Sequence, residues 1–210
     1  MILQKARGEM QRIIVVGGTG TIGREVVNVL SERHEVIPVG SQSGDFQCDL
    51  TSTESIEKMF SDIGTFDALI CCAGKVHFAP LKELTEENYY VGLQSKLMGQ
   101  VNLVRLGLQT INEKGSFTLT SGILNREPIA SGTPAAMTNA AIEGFVKGAA
   151  IELPKGCRIN AVSPTILVES YERLENYFRG FIPVQAYNVT QAYVRSVEGS
   201  QTGKIYHVDR

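Results

Sequence analysis

Short apolar runs alternate with segments of helical periodicity from one end of the chain to the other. The runs 13–16 and 68–72 are continuously apolar, which is typical of strands buried on both faces of a sheet. The pattern predicts strands over residues 12–16, 35–39, 46–48, 66–72, 116–120, 158–162 and 204–208. We therefore expect seven strands.

Between the strands, apolar residues recur at helical spacing. This periodicity predicts helices over residues 21–30, 52–60, about 86–111 and 134–153, and a loop-and-helix region over 163–198. Ser52 or Thr53 is a plausible N-cap of the second helix. Strand–helix alternation indicates right-handed βαβ crossovers. The expected fold is an α/β Rossmann-type, doubly wound, mainly parallel sheet with helices on both faces, whose ligands bind beyond the carboxyl ends of the strands.

Length and composition limit the classes of protein that fit. The 210 residues suit one domain, predicted over residues 12–210 after an N-terminal extension of residues 1–11. The net charge is −2 with no block of like charges, so we expect neither a nucleic-acid nor a membrane partner. No apolar run reaches the roughly 18 residues of a membrane span, and the first ten residues lack the pattern of a signal peptide. We expect a cytoplasmic protein.

The four cysteines show no metal-ligand spacing. Cys48, Cys71, Cys72 and Cys157 are expected to be thiols that behave as small apolar side chains in a reducing compartment. We predict no metal site.

Glycine recurs at Gly17, Gly20 and Gly23, between the first strand and the first helix. Such a turn needs a positive φ, close approach of the backbone to phosphate, and tight packing of helix on strand. The free N–H groups of the helix N-terminus then meet a diphosphate. Glycines alone can serve any tight turn, and it is the strand–turn–helix context that favours nucleotide binding.

Further segments, in the same order, resemble motifs of the short-chain dehydrogenase/reductase family. They are Cys48-Asp49-Leu50-Thr51, Cys72-Ala73-Gly74, Thr118-Leu119-Thr120-Ser121-Gly122, Asn139-Ala140-Ala141-Ile142-Glu143-Gly144-Phe145, Arg158-Ile159-Asn160-Ala161-Val162-Ser163-Pro164, and the ending 201–209. The resemblance covers nearly all of residues 12–209. It implies an NAD(P) cofactor, a small-molecule substrate, and a homodimer or homotetramer that pairs through the two long helices.

The resemblance also implies where the cofactor lies. Asp49 and the backbone after it would bound the adenine, residues 72–74 would lie beside the adenine ribose, and residues 158–164 near the nicotinamide. The candidate cofactor-binding residues are Gly17, Thr19, Gly20, Thr21, Ile22, Gly23, Ser41, Asp49, Leu50, Cys72, Ala73, Gly74, Asn139, Pro164 and Ile166.

The end of the second strand bears on the choice of nicotinamide cofactor. It reads Val39-Gly40-Ser41, with no carboxylate to hold ribose hydroxyls and no arginine to hold a 2′-phosphate. Hydrogen bonds from Ser41, Gln42 and Ser43 could hold that phosphate. We therefore favour NADP, with NAD possible.

The chain departs from the family at its reactive centre. The family uses Asn, Ser, Tyr and Lys, and the resemblance places the tyrosine at Ala135, the lysine at Asn139 and the asparagine at Lys96. Only Ser121 remains. General acid–base catalysis is worth about 10²–10⁴-fold in rate, so the family mechanism does not transfer intact. The chain resembles a subgroup that lacks the usual tyrosine and lysine.

Another group could supply the proton. A partly desolvated lysine has a lowered pKa, so Lys96 is our candidate acid and Ser121 the candidate anchor of the substrate oxygen. The alternative is that Lys96 pairs with a carboxylate such as Glu169 or is solvated.

Three functions remain open. The first is an NAD(P)-dependent oxidoreductase acting on a small carbonyl or alcohol with an atypical site. The second is a non-catalytic NAD(P)-binding sensor or scaffold. The third is a structural homo-oligomer that has lost the nucleotide, against which the intact glycine turn and Asp49 argue.

Overall fold

Seven parallel strands form the sheet of the computed structural model, which describes residues 9–210. The strands are β1 Arg12–Val16, β2 Glu35–Gly40, β3 Phe46–Gln47, β4 Phe66–Cys71, β5 Ile111–Thr120, β6 Arg158–Pro164 and β7 Ile205–Val208. Their order is β3-β2-β1-β4-β5-β6-β7, and every pairing is parallel. The predicted fold class is confirmed. The strand order reverses between β1 and β4, and this switch point is where such sheets bind ligands.

Helices cover both faces of the sheet. They are α1 Thr21–Ser31, α2 Thr53–Ile63, α3 Glu86–Gly92, α4 Gly99–Gly107, α5 Thr133–Ala149, α6 Val168–Leu174 and α7 Ala186–Glu198. On β1, Ile14 and Val16 join an apolar cluster with α2, α4 and α5, whereas Ile13 and Val15 join a second cluster with α1 and α7. All four side chains are at most 2% exposed. A strand buried on both faces explains the continuously apolar sequence.

The long helix predicted over residues 86–111 is wrong in its last turn. It comprises α3, a π-helical segment Leu93–Met98 and α4, which ends at Gly107. The N–H groups of Gln109 and Thr110 then close tight turns onto Leu106 and Gly107. Ile111, only 3% exposed, pairs with Phe66 and opens β5. Apolar spacing does not distinguish a buried strand residue from a helical one.

Other boundaries move by a few residues. The predicted strands 46–48 and 66–72 each end one residue too late, since β3 ends at Gln47 and β4 ends at Cys71. The helix predicted over residues 134–153 ends earlier, because α5 stops at Ala149 and is followed by a series of turns. Pro154 disfavours helical conformation at Leu153, the residue before it. Ser52 is the N-cap of α2, where its hydroxyl accepts the N–H of Ser55 at 3.1 Å.

Part of the predicted N-terminal extension, residues 1–8, lies outside the described residues. Within residues 9–210, no helix is both long and apolar enough to cross a bilayer. The four cysteines are reduced, with Cys72 partly exposed and the other three buried.

Candidate cofactor and catalytic site

The glycine turn is pressed between the ends of β2 and β4. Gly17 has φ +82°, and its N–H donates to the Val39 carbonyl at 2.7 Å. A Cβ at Gly17 would lie 3.0 Å from the main-chain nitrogen and Cβ of Ala73. The structure thus brings the turn and the predicted segment 72–74 together and leaves room only for glycine at this position.

Gly23 and Gly20 are constrained differently. A Cβ at Gly23 would lie 2.0 Å from the Gly17 carbonyl oxygen, so α1 packs onto its own turn and excludes any side chain there. A Cβ at Gly20 would meet only that oxygen, at 3.3 Å. The fold therefore requires Gly23, whereas it tolerates a small side chain at Gly20.

The N-terminus of α1 leaves hydrogen-bond donors free. Its N-cap, Gly20, offers no side-chain cap, and the N–H groups of Thr21 and Ile22 have no acceptor in the described part of the chain. Such N–H groups carry the positive end of the helix dipole. Together with the bare glycine surface, they fit the diphosphate of a dinucleotide.

The loop after β2 lies against the same turn. A Cβ at Gly40 would come within 2.9 Å of the Thr19 hydroxyl oxygen. Ser41 is exposed at this rim, and the side-chain amide of Gln47 donates to the Gln42 carbonyl at 3.3 Å across the loop. Thr19 and Ser41 therefore belong to one rim.

The predicted adenine side is formed by the end of β3 and the end of β4. The Asp49 carboxylate accepts from the N–H and the hydroxyl of Thr51, at 2.9 and 2.8 Å, and these bonds lower the pKa of Asp49. Leu50 is buried under α4, where a Cβ on Gly99 would lie 2.8 Å from the Leu50 Cβ. The Cys72 N–H donates to the Val16 carbonyl at 2.8 Å, which extends β4 beside β1.

The Lys96 side chain packs against the backbone of Gly74. Gly74 has φ +137°, and a Cβ on it would lie 2.9 Å from the Cα, Cβ and Cγ of Lys96. Lys96 lies in the π-helical segment before α4, and π-helical turns are frequent at functional sites. The lysine is thus carried over the segment predicted to hold the adenine ribose.

The Lys96 ammonium is held by a main-chain carbonyl. Its Nζ donates to the Ser121 carbonyl oxygen at 3.0 Å, and burial lowers the pKa of Lys96 to about 8. No ion pair involves Lys96 within residues 9–210. Glu169 instead accepts the N–H of Ala186, at the start of α7, at 3.0 Å. Pairing of Lys96 with Glu169 is therefore wrong.

Gln100, which sequence reasoning missed, fixes the end of β5. Its Oε1 accepts the Thr120 N–H at 2.8 Å, and its Nε2 donates at 3.0 Å to the carbonyls of Thr120 and Lys96. The residue is fully buried. A polar side chain on the apolar face of α4, four residues after Lys96, was the available signal.

The Ser121 hydroxyl points to a second missed residue. Its Oγ donates to Oε1 of Glu143 at 3.0 Å, and the two side chains are 2% and 8% exposed. Glu143 lies one turn beyond Asn139 and two turns beyond Ala135 on the buried face of α5. The four-residue spacing of these three positions along one helix face could have identified Glu143.

Asn139 faces Gly122. A Cβ on Gly122 would lie 3.0 Å from the Asn139 Nδ2, and the Asn139 Oδ1 is a buried acceptor with no partner among residues 9–210. The candidate cofactor residue Asn139 thus supplies an unused acceptor one turn before Glu143.

The end of β6 forms an apolar wall. Pro164 is partly buried at the end of the strand, and the next N–H, of Thr165, donates to Val208 at 3.0 Å. Ile166 belongs to an apolar cluster with Ala135 and Phe178, the last of which follows α6. The position where the resemblance expects tyrosine is 4% exposed and surrounded by apolar side chains.

One cavity, of about 490 Å³, lies away from these residues. It is open between α7 and β7, at the edge of the sheet, and is lined by Gln191, Ala192, Arg195, Gln201, Lys204, Ile205, Tyr206, His207 and Val208. It contains none of the candidate residues.

Comparison with known proteins agrees with this geometry. A family model described as enoyl-(acyl carrier protein) reductase matches residues 23–197. The crystal structure of the protein lin1944 from Listeria innocua is 48% identical, covers 94% of this chain and 98% of that chain, and superposes with a TM-score of 0.93. A small-chain dehydrogenase solved in complex with NADPH is 30% identical, with 96% and 97% coverage and a TM-score of 0.86.

Among curated relatives, the L-xylulose reductase of Mesocricetus auratus is 25% identical over 181 residues, which are 78% of this chain and 74% of that protein. In the curated relatives that this chain matches, the matched region covers between 38% and 74% of the relative's own length.

Proposed function

Because the chain belongs to the short-chain dehydrogenase/reductase family, we propose that it is an NADPH-dependent oxidoreductase acting on a small carbonyl or alcohol compound. The observation that carries the proposal is the open glycine cradle joined through Gly74 to Lys96 and Ser121. The NADPH complex of a structure 30% identical over nearly the whole chain supports the choice of cofactor. NAD is the alternative cofactor.

The cradle has donors and acceptors for a dinucleotide. The N–H groups of Thr21 and Ile22 would hold the diphosphate, and the Ser41 hydroxyl would donate to a 2′-phosphate at a strand end that carries no carboxylate. The unpartnered Asn139 Oδ1 would accept a hydrogen bond from a ribose hydroxyl. The bound nicotinamide supplies or accepts the hydride.

Lys96 would handle the proton. An ammonium has three N–H donors, and the Ser121 carbonyl uses one of them, so two remain for a substrate oxygen. A pKa of about 8 lets the same group release a proton during reduction and take one during oxidation near neutral pH. Lys96 would thus replace the acid that Ala135 cannot provide.

The exposed apolar residues support the proposed homo-oligomer. Tyr90, Val91, Met98 and Met137 are each 39–46% exposed on the two long helical segments. Such a surface is typical of a self-complementary interface between two copies. The free thiols fit a reducing compartment, and we propose a cytosolic location.

The test combines binding with turnover. Fluorescence titration should show that NADPH binds, and a spectroscopic screen of aldehydes, ketones and quinones should identify a compound that consumes it. Lys96→Ala should reduce that consumption at least 10²-fold, whereas Lys58→Ala, at a lysine 75% exposed on α2, should not. Unchanged turnover in Lys96→Ala would remove Lys96 from the mechanism. Failure to bind either nicotinamide dinucleotide would refute the proposal.

A non-catalytic NADPH-binding sensor or scaffold is the second candidate. Ala135, buried among apolar side chains, favours it, because that position offers no titratable group. NADPH binding without consumption across the whole screen would support this candidate over an enzyme.

A further inference from the structure

Glu143 is a buried acidic residue, and side-chain packing alone does not explain why an acid lies there. It is 8% exposed on α5, and in the described residues it takes part in no ion pair. Its hydrogen-bond partner is the Ser121 hydroxyl, at 3.0 Å. Burial of a polar acidic side chain without an ion-pair partner costs free energy that an apolar side chain of similar size would not. The acid therefore points to a role at Ser121.

Ser121 is held at three atoms. Its N–H donates to Val162 at 2.9 Å, its carbonyl accepts from Lys96 at 3.0 Å, and its hydroxyl donates to Glu143. A hydroxyl has one proton to donate, and the bond from the Ser121 Oγ to the Glu143 Oε1 uses it. The Ser121 Oγ can then serve a substrate only as an acceptor.

The Lys96 Nζ, bonded to the Ser121 carbonyl at 3.0 Å, and the Oγ of that same serine consequently offer opposite hydrogen-bonding characters. The Lys96 ammonium donates and suits a carbonyl oxygen, whereas the Ser121 Oγ accepts and suits a hydroxyl. A ketone without a neighbouring hydroxyl would leave the Ser121 acceptor unmatched, which a buried site discriminates against. The pair matches a carbonyl with a hydroxyl on the adjacent carbon.

We propose that the substrate class is an α-hydroxy carbonyl compound, or its vicinal diol in the reverse direction. Glu143 is the positioning residue that makes Ser121 the acceptor of the substrate hydroxyl. This inference rests on the proposed oxidoreductase function and specifies the substrate of that same site.

The test compares two ketones that differ by one hydroxyl. Acetoin and 2-butanone are offered as substrates with NADPH, and kcat/KM is measured for each. We expect a preference for acetoin of about 10-fold or more, since one hydrogen bond is worth about that factor. Ser121→Ala should abolish the preference, and Glu143→Ala should reduce it several-fold.

Variants at Glu143 separate positioning from folding. Glu143→Gln keeps an oxygen that can accept from Ser121 and should restore most of the preference for acetoin. Glu152→Ala, at an exposed acid beyond α5, should leave both kcat/KM values unchanged. A purely structural role for Glu143 would lower both ketones' kcat/KM equally, together with the unfolding midpoint, and would overturn the proposal. The NADPH dissociation constant serves as the check that the cofactor site is intact.

The outcomes distinguish this inference from the broader function. Equal kcat/KM for the two ketones, or consumption of NADPH with neither, overturns the α-hydroxy carbonyl class. The proposed oxidoreductase still stands in either case if another carbonyl of the wider screen is reduced. If nothing in that screen is reduced, both proposals fail.

Discussion

The Lys96 ammonium and the Ser121 carbonyl oxygen lie 3.0 Å apart, and this bond links the π-helical turn before α4 to the carboxyl end of β5. A carbonyl dipole stabilises an ammonium less than a carboxylate does, so desolvation dominates and the pKa of Lys96 falls to about 8. The lysine is poised to exchange a proton near neutral pH.

The direction of the reaction should change its dependence on pH. Reduction needs the protonated ammonium, so its rate should fall about tenfold per unit as the pH rises above about 8. Oxidation needs the neutral amine and should rise with pH until the same point. Initial rates with NADPH and NADP⁺ between about pH 6 and 10 test this, and a reduction rate that stays constant across the range would rule out Lys96 as the proton donor.

Removal of the Lys96 charge should stabilise the fold at neutral pH. Desolvation lowers the pKa of Lys96 from 10.5 to about 8, so Lys96→Met should gain about 1–2 kcal/mol, after allowance for partial exposure and the lost hydrogen bond. Below pH 8 Lys96 is protonated in both the folded and the unfolded state, so folding bears the full free-energy cost of burying the charged ammonium. Between pH 8 and 10.5 the unfolded state binds more protons, so wild-type stability rises with pH.

Urea unfolding of the wild type and Lys96→Met at about pH 7 and 10 measures that difference. The advantage of the variant should shrink at the higher pH. An advantage that is equal at both values would mean that Lys96 is solvated in the folded state.

Two glycines of the turn should separate folding from cofactor binding. In Gly23→Ala the new Cβ would meet the Gly17 oxygen at 2.0 Å, so we expect a loss of about 2 kcal/mol or more and no NADPH binding. In Gly20→Ala the nearest atom is at 3.3 Å, so stability should change by less than about 1 kcal/mol while NADPH affinity falls. Thermal unfolding and fluorescence titration measure both effects. Wild-type NADPH affinity in Gly20→Ala would contradict the cradle.

Local physics explains why the strands and the glycine turn could be predicted. A continuously apolar run such as residues 13–16 permits few alternatives to a buried strand, and a glycine turn needs its residue types within one short segment. The end of α4 was missed because Leu108 and Ile111 continue the apolar spacing of the helix while Gly107 alone marks its stop. Glycine is a weak signal within a helical pattern.

The candidate site was predicted only in part because its contacts are tertiary. Ser121 and Glu143 are 22 residues apart, and Gln100 and Thr120 are 20 apart, so no local pattern joins them. Complementary charge suggested Glu169 as a partner for Lys96, but residue type does not determine the distance between two side chains. In the fold the Lys96 ammonium instead donates to the main-chain carbonyl of Ser121.

Gln100 should support both stability and the position of Lys96. Gln100→Leu would leave the Thr120 N–H and carbonyl buried without these partners, which costs about 2–4 kcal/mol. It would also release the Lys96 carbonyl, so turnover should fall more than NADPH affinity does. The exposed neighbour Gln94 provides the matched control, since Gln94→Leu should change stability by less than about 0.5 kcal/mol. Urea unfolding measures the free energy of unfolding of both variants, and equal values for Gln100→Leu and Gln94→Leu would contradict this role of Gln100.

Gly144 provides a test of the proposed interface between copies. It lies exposed on α5, and a Cβ there would meet no atom of the described residues 9–210 within 4 Å, so there is room for a side chain. Arginine favours helix over glycine by up to about 1 kcal/mol, and Gly144→Arg should therefore fold at least as well as the wild type. If α5 pairs two copies, the same guanidinium would lie buried without a partner and separate them. Light scattering should then show a wild-type dimer or tetramer and a smaller Gly144→Arg species, whereas Tyr187→Arg, at an exposed residue of α7, should keep the wild-type mass. A monomeric wild type, or an unchanged mass in Gly144→Arg, would place the interface elsewhere or remove it.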